Sequence, residues 1–299
     1  MVPPERKSVA DVLRERAETV RLALDRFLTP PDEPSRDLYE AMRYMALGGG
    51  KKLRPVLVLL AAEACGGSAD AAMPAACAVE MVHTYSLIHD DLPAMDNDDL
   101  RHGRPSCHKA FGEAMAILAG DGLLTEAFAV LASYVPDAVR ARRLVAELAL
   151  AAGAAGMVGG QVADLKAERQ RLNDETLLEI IHRLKTARMI EAAAVMGAIV
   201  AGASEHFERS LRAYGSHLGL AFQIADDILD AAASTEVLGK TAGKDAAAGK
   251  LTYVTCYGIE AARRRARSEA DRAIDALGPF DHQADLLGDM ARFVVERTF

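Results

Sequence analysis

The chain has 299 residues, 51% of them hydrophobic and 26% charged, which excludes wholesale disorder and leaves material for a sizeable core. Against 43 Asp and Glu stand 35 Lys and Arg, a formal net charge of −8 that argues against nucleic acid or an anionic membrane surface as main partner. Any anionic ligand must therefore be captured by a local cluster of bases.

In chain order the apolar residues recur mostly at helical spacing. Ser8 to Phe27 carries Val9, Val12, Leu13, Ala17, Val20 and Leu24 near a 3.6-residue period. A turn over Thr29 to Pro34 ends this helix, and Ser35 can cap the next. Gly48-Gly49-Gly50 breaks that second helix, and a third runs from near Pro55 to about Cys65. From Ala71 to about Leu92 several faces are apolar, the mark of a central helix, which Pro93 ends or kinks.

Residues Asp96 to Ser106 read as a polar loop. Helices are then predicted over Phe111–Tyr134, Asp137–Gly153, Gly156–Glu168, Asp174–Ala203 (long or interrupted) and His206–Ala231. Ser234 to Lys250 reads as a Gly- and Lys-rich mobile loop, followed by helices over Thr252–Leu277 and Asp281–Arg297. With no convincing strand period and no linker, the expectation is a single all-α domain, a helical bundle spanning residues 1–299.

The N-terminus lacks the apolar run of a signal peptide, and apolar stretches such as Ala192–Ala203 fall short of the roughly 18 residues of a membrane span. Cys65, Cys77, Cys107 and Cys256 show no paired or metal-ligand spacing and read as reduced thiols. Together these predict a soluble cytoplasmic protein.

Two acidic segments carry the chemistry. In the first, Asp90 and Asp91 close the central helix and Asp96 lies just past Pro93, with His83 seven residues back on the Asp90 face. In the second, Gln223, Asp227 and Asp230 share a helix face with Asp226 beside them. Magnesium prefers oxygen ligands, commonly one or two carboxylates plus water and substrate phosphates, so two such segments facing each other could clamp a diphosphate. Either stretch alone reads equally well as a solvated helix end. Asp226 and Asp227 resist that reading, because Leu220 to Ala225 and Ile228-Leu229 embed them in apolar surroundings.

A second set is basic. Gly49-Gly50-Lys51-Lys52-Leu53-Arg54-Pro55 has the pattern of an anion nest at a helix start. Arg101, His102 and Arg104 follow the first acidic segment; Lys185-Thr186 sits within a helix, and Lys240 and Lys244 in the late loop.

These motifs are ordered nearly end to end: Gly50-Lys51-x-x-Arg54-Pro55, His83-Thr84-Tyr85-Ser86-Leu87-Ile88-His89-Asp90-Asp91, Cys107 to Glu113, Gly160-Gln161, Lys185-Thr186, Phe222 to Asp230 and Gly239 to Asp245. In this the chain resembles the short-chain trans-prenyl diphosphate synthases, of the bacterial farnesyl diphosphate synthase type. The resemblance implies an isoprenoid-synthase-type bundle with a deep central cavity, a cytoplasmic homodimer condensing isopentenyl diphosphate with dimethylallyl or geranyl diphosphate. It implies magnesium, three ions when the diphosphate is bound, held by Asp90, Asp91, Asp96 and Asp226, with Asp227 and Asp230 acting through water or behind the ligands. Arg101, Lys185 and Lys240 would contact the allylic diphosphate, while Lys51, Arg54, His83 and the position of His102 would hold isopentenyl diphosphate. Thr186, Gln223 and the Lys185 carbonyl would face the allylic cation, with Gln161 and Asp164 in support.

Tyr85, five residues before the first aspartate, would floor the product cavity. Together with the inserted Pro93-Ala94 it implies a farnesyl product, with geranylgeranyl as the alternative; a non-catalytic regulatory subunit is a more distant reading. Two departures stand out. His102 occupies the place of a usual second arginine, and Leu184 and Ala187 flank Lys185 where His and Gly are usual.

Overall fold

The computed structural model describes residues 8–31, 34–170, 174–232 and 251–296. Ser8 caps α1 (Val9–Phe27) by accepting the Asp11 amide at 3.2 Å, and Ser68 caps α4 (Ala69–Asp90) by accepting that of Ala71. Between them lie α2 (Arg36–Ala46) and α3 (Leu53–Ala64). Then come α5 (Cys107–Phe111), α6 (Glu113–Tyr134), α7 (Ala138–Ala152), α8 (Met157–Gln170), α9 (Glu175–His182), α10 (Arg188–Ala201) and α11 (Glu205–Ala232). The described part ends with α12 (Tyr253–Tyr257), α13 (Ile259–Asp275) and α14 (Asp285–Glu296). The fold is all-α, as its periodicity predicts.

Helix α4 is the centre, packed by α3, α6 and α10, while α11 packs on α10 and α13. The abundant small residues bring these helices close. At Gly197 of α10, an added Cβ would lie 2.7 Å from Ala61 Cβ of α3. Large side chains fill what remains: Leu57, Leu59, Met81, Ile88, Leu123 and Leu131 are fully buried. Each such side chain contributes about 1.5–3 kcal/mol of transfer free energy.

Glycines account for the interruptions that periodicity did not show. Gly112 (φ 88°) separates α5 from α6, and Gly258 (φ 78°) splits the expected Thr252–Leu277 helix into α12 and α13. The expected loop after Asp96 contains a hairpin, pairing Leu100 with Pro105 and Arg101 with Arg104. Its turn residues His102 (φ 52°) and Gly103 (φ 74°) both take the left-handed conformation that a tight hairpin requires. Helix α6 contains an 18-residue window of mean hydropathy 1.6 and is by length and composition apolar enough to span a membrane, although it carries Asp121 and Glu126. Here it packs against α4, α2, α5 and α7, leaving Ile117 and Leu118 exposed.

Candidate active site

A cavity of about 670 Å³ opens between the C-terminal parts of α4 and α11 and is lined by residues of α3, α8, α9 and the segment linking α9 to α10. Asp90 reaches it from α4; Asp226, Asp227 and Asp230 reach it from α11. Burial pushes the Asp90 carboxyl up to about 6; Lys185 opposes the shift and the nearby Asp96 adds to it. The turn holding Asp96 folds back on the end of α4, its amide donating to Asp90 O at 2.8 Å. That donation satisfies a carbonyl the helix end would leave unpaired.

Asp91 faces the other way. It is fully buried and accepts from Arg101, with Nε 3.1 and 3.3 Å from its two oxygens and Nη2 on Oδ1. Asp91, expected among the magnesium ligands, is here the hydrogen-bonding partner of Arg101. Among the described residues no three His, Cys, Asp or Glu side chains converge on one point at metal-ligand distance. The carboxylates form two separate banks, an arrangement for hard cations that take part of their shell from a ligand bound between.

A π-helical turn, Arg183–Ala187, carries Lys185 and Thr186 to the cavity wall. Two glycines seat it. A Cβ on Gly160 of α8 would lie 2.7 Å from Lys185 Cα, and one on Gly219 of α11 would lie 2.5 Å from Ala187 Cα. Ala187, a departure with no account in the sequence, is thus the small residue that packs on Gly219. Lys185 Nζ is 2.6 Å from Asp164 Oδ2, so Asp164 orients this ammonium group. Thr186 donates to Gln223 Oε1 at 2.6 Å, and Gln223 Nε2 donates to Asp227 Oδ1 at 3.0 Å.

Asp227 is held from behind. The Tyr253 amide donates to it at 2.8 Å, and His182 Nε2 lies 3.7 Å away with its ring 5.2 Å from that of Tyr253. His182 and Tyr253 were missed in the sequence. The His182-x-x-Lys185 spacing, which puts both on one helix face, was a signal for the first; nothing local marks Tyr253. Leu251 and Thr252 also line the cavity.

Of the positions expected to hold isopentenyl diphosphate, Arg54 and His83 line the cavity, whereas Lys51 and His102 are not among its lining residues. Arg54 Nη1 donates to His83 Nε2 at 3.2 Å, and its guanidinium lies 5.6 Å from the Phe222 ring centre. Burial first, then Arg54, Lys52, His102 and Arg101, hold His83 well below the usual histidine range, so its ring is neutral and accepts. The adjacent lysines have different surroundings. Lys51 is exposed, whereas Lys52 takes a left-handed conformation (φ 48°) and buries its ammonium group 2.8 Å from Glu80 Oε1 and 2.8 Å from Ala46 O. This clamp fixes the loop in which Gly49 and Gly50 take positive φ.

The hairpin closes over that loop. The His102 ring lies on Gly50, where a Cβ would be 3.2 Å from Nε2, and burial with Arg101 and Lys52 lowers its pKa. Arg104 is stacked 4.1 Å from the Tyr44 ring centre. Arg101, His102 and Arg104 line a small recess beside the main cavity. Tyr85 is 6% exposed and lines the cavity at the level of Ile117 and His89. Lys240 and Lys244, with the rest of the expected Ser234–Lys250 loop, lie outside the described residues.

An all-α bundle with two facing aspartate banks and a basic wall defines an isoprenyl synthase type of protein. The chain belongs to the polyprenyl synthetase family, whose model matches residues 35–285, and is a prenyltransferase. It is 53% identical over 272 residues to a protein of Arabidopsis thaliana named heterodimeric geranylgeranyl pyrophosphate synthase large subunit 1, covering 89% of this chain and 73% of that one. It is 46% identical over 288 residues to farnesyl diphosphate synthase of Bacillus subtilis, covering 95% and 97%. Among solved structures it is similar to a geranyltransferase from Helicobacter pylori complexed with magnesium and isoprenyl diphosphate, with a TM-score of 0.84, 31% identity and 98% of each chain covered.

Proposed function

We propose that the chain condenses isopentenyl diphosphate with dimethylallyl or geranyl diphosphate to give farnesyl diphosphate, through a single domain acting as a homodimer. Magnesium, three ions when the diphosphate is bound, would supply the charge that stabilises the leaving diphosphate. The donor set fits: Asp90 on one bank and Asp226 on the other line the cavity and, with Asp96 from the turn after α4, would supply oxygen ligands, while Asp227 and Asp230 would act through water and Asp91 holds Arg101. Lys185, oriented by Asp164, adds an ammonium group on the same side. Lys240 belongs to this set by its motif alone.

The second diphosphate belongs to Lys51, Arg54 and His83, beside the loop clamped by Lys52 and Glu80. Once the allylic C–O bond ionises, the cation needs partial negative charge without a nucleophile. Gln223 Oε1 offers that, and the Thr186 donor holds its amide in one orientation. The isopentenyl double bond then attacks, and the departing diphosphate takes the proton, so no separate base is needed. The exposed Leu118 on α6 belongs to the surface a second copy would cover.

The observation that carries the farnesyl reading is Tyr85, a buried aromatic ring at the cavity wall. A geranylgeranyl product is the second reading, favoured by the name of the Arabidopsis relative. Incubating the enzyme with magnesium, isopentenyl diphosphate and geranyl diphosphate, then sizing the products, decides between fifteen and twenty carbons. Tyr85→Ala is expected to lengthen them, and an unchanged length would remove Tyr85 from the floor. Failure of the purified protein to turn over without a partner chain would favour the subunit reading.

A further inference from the structure

We propose that His89, seated on Gly120, is a second specificity-determining residue, one that braces the Tyr85 ring from the side and so helps to set product length. The inference rests on the reading of Tyr85 as the cavity floor.

Three observations carry it. His89 follows Tyr85 by one helical turn, and the two rings meet edge to face with centres 5.7 Å apart at 81°. Both rings line the cavity, as does Ile117 from α6. Beyond Tyr85, His89 reaches across to α6, where Nε2 donates to the Ile117 carbonyl at 3.1 Å, with Asp121 Oδ1 at 3.9 Å. The imidazole can come this close only because position 120 lacks a side chain. A Cβ there would lie 2.5 Å from His89 Cδ2 and 2.9 Å from Cε1, and would overlap Nε2.

The ring is thus held between the α6 backbone and Tyr85. Removing it frees Tyr85 to swing toward the vacated space, which deepens the cavity. A methyl group at position 120 has the opposite effect. It drives the ring off α6, and the side left open is toward Tyr85 and the cavity, which becomes shorter. Product length is the readout, because a residue that merely packed α4 on α6 would lower stability and total rate without moving the ratio of products.

The experiment compares wild type, His89→Ala, Gly120→Ala, the double variant and Tyr85→Ala. Each is given dimethylallyl and isopentenyl diphosphates, its products are sized, and its melting temperature is recorded. His89→Ala is expected to raise the share of products longer than wild type's by roughly tenfold, the discrimination a pocket exerts over a small change in volume. Gly120→Ala is expected to shift products toward the shorter ten-carbon chain. The double variant should follow His89→Ala, since no ring is left to displace. If His89→Ala and Gly120→Ala both keep wild-type lengths while Tyr85→Ala lengthens them, the brace is refuted and the floor stands. If Tyr85→Ala also leaves them unchanged, the floor reading falls first. Should Gly120→Ala not fold, His89→Ala alone decides.

Discussion

Replacing His102 by arginine tests the basic wall most directly. The imidazole lies on Gly50, and burial, Arg101 and Lys52 lower its pKa, so at pH 7 and above it is neutral. Arg104 is stacked on Tyr44 in the adjoining recess, and Arg101 is committed to Asp91. Beside Arg54, the isopentenyl site therefore lacks the second planar charged fork that an arginine at position 102 would bring. A hydrogen bond to a charged group is worth about 1.5–3 kcal/mol. His102→Arg is therefore expected to lower the isopentenyl diphosphate KM by roughly tenfold to a hundredfold at pH 8, leaving the allylic KM near its wild-type value.

The sign of the pH effect follows from the lowered pKa. Wild-type His102 gains its charge only below the ordinary histidine value of about 6.5, so wild-type KM improves toward acid pH and the advantage of arginine shrinks there. The new charge also sits near Arg101 and Lys52, so the empty variant should melt lower than wild type and recover on binding diphosphate. Steady-state kinetics in isopentenyl diphosphate at saturating allylic substrate, at pH 5.5, 7 and 8, measure all of this. An unchanged KM, or an equal change in both, would refute the placement of His102 beside the second diphosphate.

Three further outcomes are expected. Asp164→Asn should lower kcat by about tenfold while sparing the isopentenyl KM, because it removes the charge that orients Lys185; equal loss in both would show a general packing defect. Gly219→Ala should cost about 1–3 kcal/mol by pressing on the Ala187 backbone, seen as a lower melting temperature together with reduced kcat, and an unaltered melt would deny the close approach. Because Asp90 is pushed up to about 6, proton and magnesium compete for it below that pH. The magnesium concentration for half-maximal rate should then rise by about tenfold per unit of acidification, and chelation should abolish turnover; a pH-independent requirement between 5 and 7 would place the metal elsewhere.

How far the sequence reaches is visible at Asp226, Asp227 and Asp230. Their helical spacing put them on one face in advance, and that face lines the cavity. His83 was legible from its seven-residue spacing to Asp90, and Arg54 from the glycine-led helix start that precedes it. Asp91 was not, since nothing in Asp90-Asp91 tells which carboxylate turns inward. That is settled by Arg101, ten residues on, past the turn at Pro93 and on the first strand of the hairpin. Lys51 and Lys52 posed the same problem: the left-handed backbone at Lys52 sends its side chain to Glu80, a residue of another helix.

By itself, then, the sequence determined the helices, the two aspartate banks and the family, because periodicity and motif spacing act within one or two turns of chain. The tertiary structure decided that Asp91 is held by Arg101 and Lys52 by Glu80, and it made the Thr186–Gln223–Asp227 chain and the seats at Gly120, Gly160 and Gly219. Those contacts join different helices, and their distances depend on how closely backbones cross, which no local pattern encodes.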